Sequence, residues 1–177
     1  QIGSVLILSP SIDGFVRYRF KDEMIGYEDR YEMLKLGCNE HNMSITDDEG
    51  LFIIHDSWEG TRKRLYDYPE VLKHFRMEIS KLFNDENLLV LYVCGADFFM
   101  RNYCFAKEGY VGIARPGYQI SVCSMPEYNV YVCNDKKYTG FYSDATLAIK
   151  MAREKGESIE GLTYDSVVKH LHDINWI

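Results

Sequence analysis

The sequence predicts an α/β fold, a parallel sheet flanked by helices, built as one domain over residues 1–177. Three observations predict it. Short, continuous apolar runs recur along the chain. Segments with helical periodicity lie between them. Most of the runs end in polar or turn-forming clusters, as parallel strands do at the edge where they present ligands.

Val5 to Leu8 is the first run, ended by Ser9-Pro10-Ser11. A run apolar at every position fits a strand covered on both faces. Leu51 to Ile54 repeats it and ends in His55-Asp56-Ser57. Leu88 to Val93 is the strongest, ended by Gly95-Ala96-Asp97, and Val111 to Ala114 is a fourth, ended by Arg115-Pro116-Gly117. Val130 to Val132 is a fifth. Tyr27, Tyr31, Leu34 and Cys38 share one helix face, and Val71, Leu72, Phe75, Ile79 and Leu82 line another that opens near Pro69. Ser143 or Asp144 caps a helix carrying Leu147, Ala148, Met151 and Ala152. A last helix carries Val167, Val168 and Leu171.

Composition narrows the function classes. A net charge of −7 lacks the basic footprint that nucleic acid requires, but leaves room for a nucleotide, which needs only a few local donors. Fourteen tyrosines suit a domain with many half-buried positions. The cysteines (Cys38, Cys94, Cys104, Cys123, Cys133) are odd in number and lack a CxxC, so free thiols in a reducing compartment are expected rather than disulfides or zinc. The apolar runs are strand length, and the start does not read as a signal peptide. The expected compartment is the cytoplasm or nucleus. A start at Gln1 rather than Met predicts a fragment or a processed product.

Several residues suit ligand chemistry. Gly95 lets a ligand approach the backbone, and Asp97 can accept from ribose hydroxyls. An Asp at that place is also an ordinary helix N-cap, and spacing alone favours the cap. In Asp56-Ser57-Trp58-Glu59 the indole can stack on a flat heteroaromatic ring, with a nearby carboxylate for an amide hydrogen. A Trp covering the sheet edge reads equally well. Thr146 to Lys150 opens a helix whose N-terminus favours phosphate, although taken alone it reads as a solvated face. The five histidines lack metal-ligand spacing, and no metal site is expected. No GxSxG or Walker loop is present.

Taken in order, these segments resemble the eukaryotic-type nicotinamide mononucleotide adenylyltransferases. Leu6-Ile7-Leu8-Ser9-Pro10-Ser11-Ile12-Asp13-Gly14-Phe15 is similar to the family's second strand and its ISPVxDAY turn. Tyr27 to Met33 is similar to its HRxxM helix, and Asp56-Ser57-Trp58-Glu59 to its DTWE. Leu91 to Asp97 resembles LLCGAD, and Gly156 to Leu162, with Asp165 and Val167, resembles the closing GxSIRYLVPDxVxxYI. The resemblance implies a Rossmann-like nucleotidyltransferase fold. It implies transfer of AMP from MgATP to nicotinamide or nicotinate mononucleotide, with release of pyrophosphate. By resemblance Trp58 stacks on the pyridine ring, with Ser9, Pro10, Phe15 and Glu59 around it. Gly95 and Asp97 hold the adenosine side, Arg115 lies near the adenine, and Thr146 and Lys150 face the phosphates as the catalytic pair. Magnesium comes with the ATP. A homo-oligomer is among the expected states.

Three departures stand against the pattern. The family's first strand and helix, with GxFxPxxxxH, have no counterpart in the sequence. Its ISSTxIR reads Asp144-Ala145-Thr146-Leu147-Ala148-Ile149-Lys150, so Lys replaces an Arg that grips phosphate with two parallel bonds. The second pocket Trp is missing, and Tyr103 or Phe105 is the nearest replacement. Leaving out a central strand exposes both of its neighbours. The alternative expectation is therefore a catalytically inactive relative that binds nucleotides or protein partners.

Overall fold

The computed structural model describes residues 4–20, 24–45, 51–83, 89–102, 109–114, 119–133, 153–159 and 163–176. They form an α/β protein of small parallel sheets with helices packed on them. The chain divides into two compact units, Gln1–Leu65 with Thr146–Ile177, and Tyr66–Ala145. No helix among the described residues is long and apolar enough to cross a membrane.

The first unit holds strand β1 (Val5–Leu8), helices α1 (Asp13–Phe20) and α2 (Tyr27–Ser44), strand β2 (Phe52–His55) and, near the end of the chain, helix α5 (Asp165–Asp173). β1 and β2 pair in parallel, Val5 beside Phe52 and Leu8 beside His55. Val167 and Leu171 of α5 are buried with Ile159, against Met33 and Leu36 of α2. Amphipathic spacing in α5 brings those two side chains onto one face, as the sequence predicts. Glu40 of α2 reaches across to the start of α5. Its two carboxylate oxygens accept from the backbone N–H of Asp165 (3.3 Å) and Ser166 (3.0 Å). Orphan N–H groups at that helix start thus receive a cap from another helix, because Tyr164 at the N-cap makes no side-chain cap bond.

The Ser166 hydroxyl beside the carboxylate, together with these N–H groups, holds Glu40 below the usual carboxylate range. A carboxyl with a lowered folded pKa stabilises the fold above its unfolded value of about 4.3, and that contribution disappears as pH falls through the folded value. Thermal melts followed by circular dichroism should therefore lose less stability in Glu40→Gln than in the wild type when pH is lowered from about 5 to 3. Parallel acid limbs in the two proteins would contradict the cap.

The second unit holds α3 (Tyr68–Phe83), β3 (Tyr92–Gly95), α4 (Ala96–Asn102), β4 (Tyr110–Ile113) and β5 (Val130–Cys133). The three strands are parallel and ordered β3-β4-β5. One sheet face carries Tyr110 and Val130, buried with Ala96 and Phe99 of α4 and with Ile120. Tyr68, Tyr92 and Phe98 pack around them as an aromatic cluster, ring centroids 5.0 to 5.6 Å apart. Gly112 lies under the Phe99 ring, where a Cβ would come within 2.4 Å of it.

All five expected strands form, each within about one residue of the expected position except β3. They make two sheets and not the single sheet expected. β3 begins at Tyr92 and runs on past Val93 through Gly95, which the sequence places in the turn, because α4 begins directly at Ala96 and leaves no loop. Leu82 was expected on the buried stripe of α3 and is exposed instead, one residue from the helix end.

The sheet edges are treated unequally. Ile53 on the outer edge of β2 is closed by the Asn42 side chain, which donates to its C=O (2.6 Å) and accepts from its N–H (3.0 Å). On the outer edge of β5, Val130 exchanges two bonds with Met125, and Val132 N–H donates to Ser124 Oγ at 2.8 Å. The pairing of Leu8 with Asp56, and of Tyr92 with Gly109, turns the backbone of Ile7 and Val93 to the opposite edges. Among the described residues those two have no partner there. An open edge is a template for another strand.

Candidate functional site

The turn after β2 is the best-built polar feature of the first unit. Asp56 N–H donates to Leu8 O (2.8 Å), extending the strand pair by one residue. Its carboxylate oxygen Oδ2 accepts from Trp58 N–H (2.6 Å) and from Ser9 Oγ (3.2 Å). One Asp thereby ties the ends of both strands together and fixes the backbone of Trp58, an Asx turn reinforced from the neighbouring strand. Tyr27 OH donates to Ser57 O (3.3 Å), and Thr61 Oγ1 donates to the same carbonyl (2.9 Å). Gly60 lies against the buried Tyr27 ring so closely that a Cβ would fall 1.8 Å from it. The glycine is required by this approach and not by a special φ.

Glu59 is half-buried in this turn. Burial pushes its carboxyl above the usual range, a hydrogen bond from Ser11 opposes the shift, and the Asp56 charge adds to it. Arg30 is committed elsewhere: it pairs with Asp13 (2.8 Å) and donates to Ile25 O (3.0 Å). The guanidinium of Arg62 sits over the Trp58 ring, 4.7 Å from the centroid. Ser9, Pro10, Trp58 and Glu59 thus share the carboxyl ends of β1 and β2, as expected, while Phe15 stands on α1 with 41% of its surface exposed.

The second unit brings Gly95 and Asp97 together by itself. Gly95 ends β3, and Asp97 sits in the first turn of α4, not at its cap. A cleft of about 410 Å³ here is lined by Ala96, Asp97, Met100, Arg101 and Gln119. Arg101 Nε donates to Asp97 O (2.9 Å), and its Nη2 lies 3.7 Å from the Asp97 carboxylate. Burial pushes the Cys94 thiol up to about 12, so it stays protonated and is no nucleophile at neutral pH.

Arg115, Thr146 and Lys150 lie outside the described residues, as do Tyr103 and Phe105. Among the described residues no three His, Cys, Asp or Glu side chains are grouped to hold a metal ion. Sequence reasoning assigned no role to Asp56, Ser11, Arg62, Arg101 or Gln119. Asp56 was detectable, since an Asp two residues before the Trp at a strand end forms an Asx turn. Arg62 was legible only as a helical-turn spacing of four from Trp58. Nothing in the sequence marked Gln119.

No family model matches this chain. No curated protein sequence matches it either.

Proposed function

We propose that the chain is a Rossmann-like nucleotidyltransferase of the nicotinamide mononucleotide adenylyltransferase kind. The reaction is transfer of AMP from MgATP to nicotinamide or nicotinate mononucleotide. The observation that carries the reading is the way the strands pair. The dinucleotide-binding form of the doubly wound sheet has the order 3-2-1-4-5-6. With its first strand set aside, the same order reads 3-2 and 4-5-6. β1, which resembles the family's second strand, forms a parallel pair with β2, and β3-β4-β5 form a parallel triple. The open edges belong to β1 and β3, which are the neighbours of strand 1 in that order.

In this reading the mononucleotide phosphate oxygen attacks the α-phosphorus of ATP, the bond from that phosphorus to the bridging oxygen breaks, and pyrophosphate leaves. Catalysis of this kind is positioning and charge stabilisation more than covalent work. Trp58, held by Asp56, orients the pyridine ring, Glu59 borders it, and Gly95 and Asp97 receive adenosine. The magnesium ion enters with the triphosphate as part of the substrate. Thr146 and Lys150 supply the phosphate contacts, with Arg115 near the adenine.

The test is pyrophosphate release from ATP with each mononucleotide, coupled to chromatographic detection of the dinucleotide. Turnover that requires the mononucleotide supports the enzyme. The open strand edges favour a second reading, a relative that binds nucleotide or a protein partner without turnover, and binding of both nucleotides with no pyrophosphate would select it.

A further inference from the structure

The Trp58 ring is already covered. Arg62 lies four residues further on, and the backbone between them is a tight helical turn: Thr61 N–H donates to Ser57 O (3.1 Å) and Arg62 N–H to Glu59 O (3.3 Å). That turn delivers the exposed guanidinium to 4.7 Å from the indole centroid. Among the described residues Arg62 makes no ion pair, although Asp56 and Glu59 lie close in sequence. The indole face is negative, and the carboxylates of Asp56 and Glu59 belong to the same turn. Arg30, the other cation close to this turn, is held by Asp13 and by Ile25 O.

We propose that Arg62 is a built-in placeholder on Trp58, and that the ligand displacing it is a cationic heteroaromatic ring of the N-alkylated pyridinium class. The inference rests on the adenylyltransferase reading for its choice of ring, and it names the charge state that the site selects. A cation on the ligand replaces the cation–π contact that the guanidinium gives up. A neutral pyridine of the same size displaces Arg62 without that return and binds more weakly. Arg62 therefore lowers affinity for every ring by the same factor through competition, while the indole face itself sets the preference for a cationic ring.

The test uses ring probes that carry no phosphate, 1-methylnicotinamide (cationic) and nicotinamide (neutral), titrated against the full chain by quenching of Trp58 fluorescence. Trp176→Phe leaves Trp58 as the sole indole, and Trp58→Phe in the otherwise native chain gives the collisional background. The cationic ring should bind more tightly than the neutral one. Arg62→Ala should tighten binding of 1-methylnicotinamide about two- to five-fold, the range of an exposed cation–π contact, and Arg62→Gln should do the same. Affinity that is unchanged or lower in both variants, or equal for the two rings in the native chain, overturns the proposal. Saturable quenching absent from every variant overturns it as well. The two readings fail separately. Arg62-dependent ring binding without pyrophosphate release removes the enzyme and keeps the placeholder, whereas turnover with Arg62-independent ring binding does the reverse.

Discussion

Phe99→Ala is expected to destabilise the second unit by about 3–5 kcal/mol, the range for truncating a fully buried aromatic. Phe99 has no exposed surface and stands edge-on to the equally buried Tyr110, ring centroids 6.3 Å apart. Its ring also fills the space above Gly112, where no side chain can substitute for it. The cavity would be lined by Ala96, Ile120 and Val130, which belong to a helix, a connection and a strand and cannot all move inward together. Urea unfolding monitored by far-ultraviolet circular dichroism should show the loss. A shift under about 1 kcal/mol would mean that Phe99 does not hold α4 to the sheet.

Gly60→Ala is expected to cost about 1–3 kcal/mol and to damage the site along with the fold. The added methyl meets Tyr27, and the ring has no simple retreat. It stacks on Tyr31 at 5.9 Å, and its hydroxyl is bonded to Ser57 O. The turn must move instead, and the turn carries Trp58 and Glu59. Gly14→Ala is the matched control: the nearest atom to its new Cβ is a side-chain carbon of Ile12 at 3.8 Å, and alanine favours the helix by about 0.5–1 kcal/mol. Thermal melts should separate the two, with Gly60→Ala falling and Gly14→Ala unchanged or rising. Equal melting temperatures would show that Tyr27 yields to the methyl.

What could be read in advance follows from the physics of each signal. The strand positions were legible because a run such as Val5 to Leu8 is continuously apolar, but the cover on both faces that such a run implies is not met in β1, where Val5 is 56% exposed and no residue is buried. The face of α5 was legible because Val167 and Leu171 stand one helical turn apart. The division into two sheets was not, since pairing is a long-range choice that no local run encodes. Single polar residues close the outer edges, Asn42 for β2 and Ser124 for β5, and do not mark where the division falls. Likewise Trp58 and Glu59 stood out by residue type, whereas Asp56, which fixes Trp58, is distinguished by the two bonds its carboxylate accepts.

The claim that joins these features is that the turn after β2 is a mononucleotide site built around Trp58. Calorimetric titration of the wild-type chain and of Trp58→Ala with nicotinamide mononucleotide tests it most directly. Saturable binding in the wild type, weakened by about 1–3 kcal/mol in Trp58→Ala, is the expected result, since that is the value of a ring stacked on an aromatic side chain. Equal affinity in the two proteins, or no heat of binding in the wild type, would contradict it.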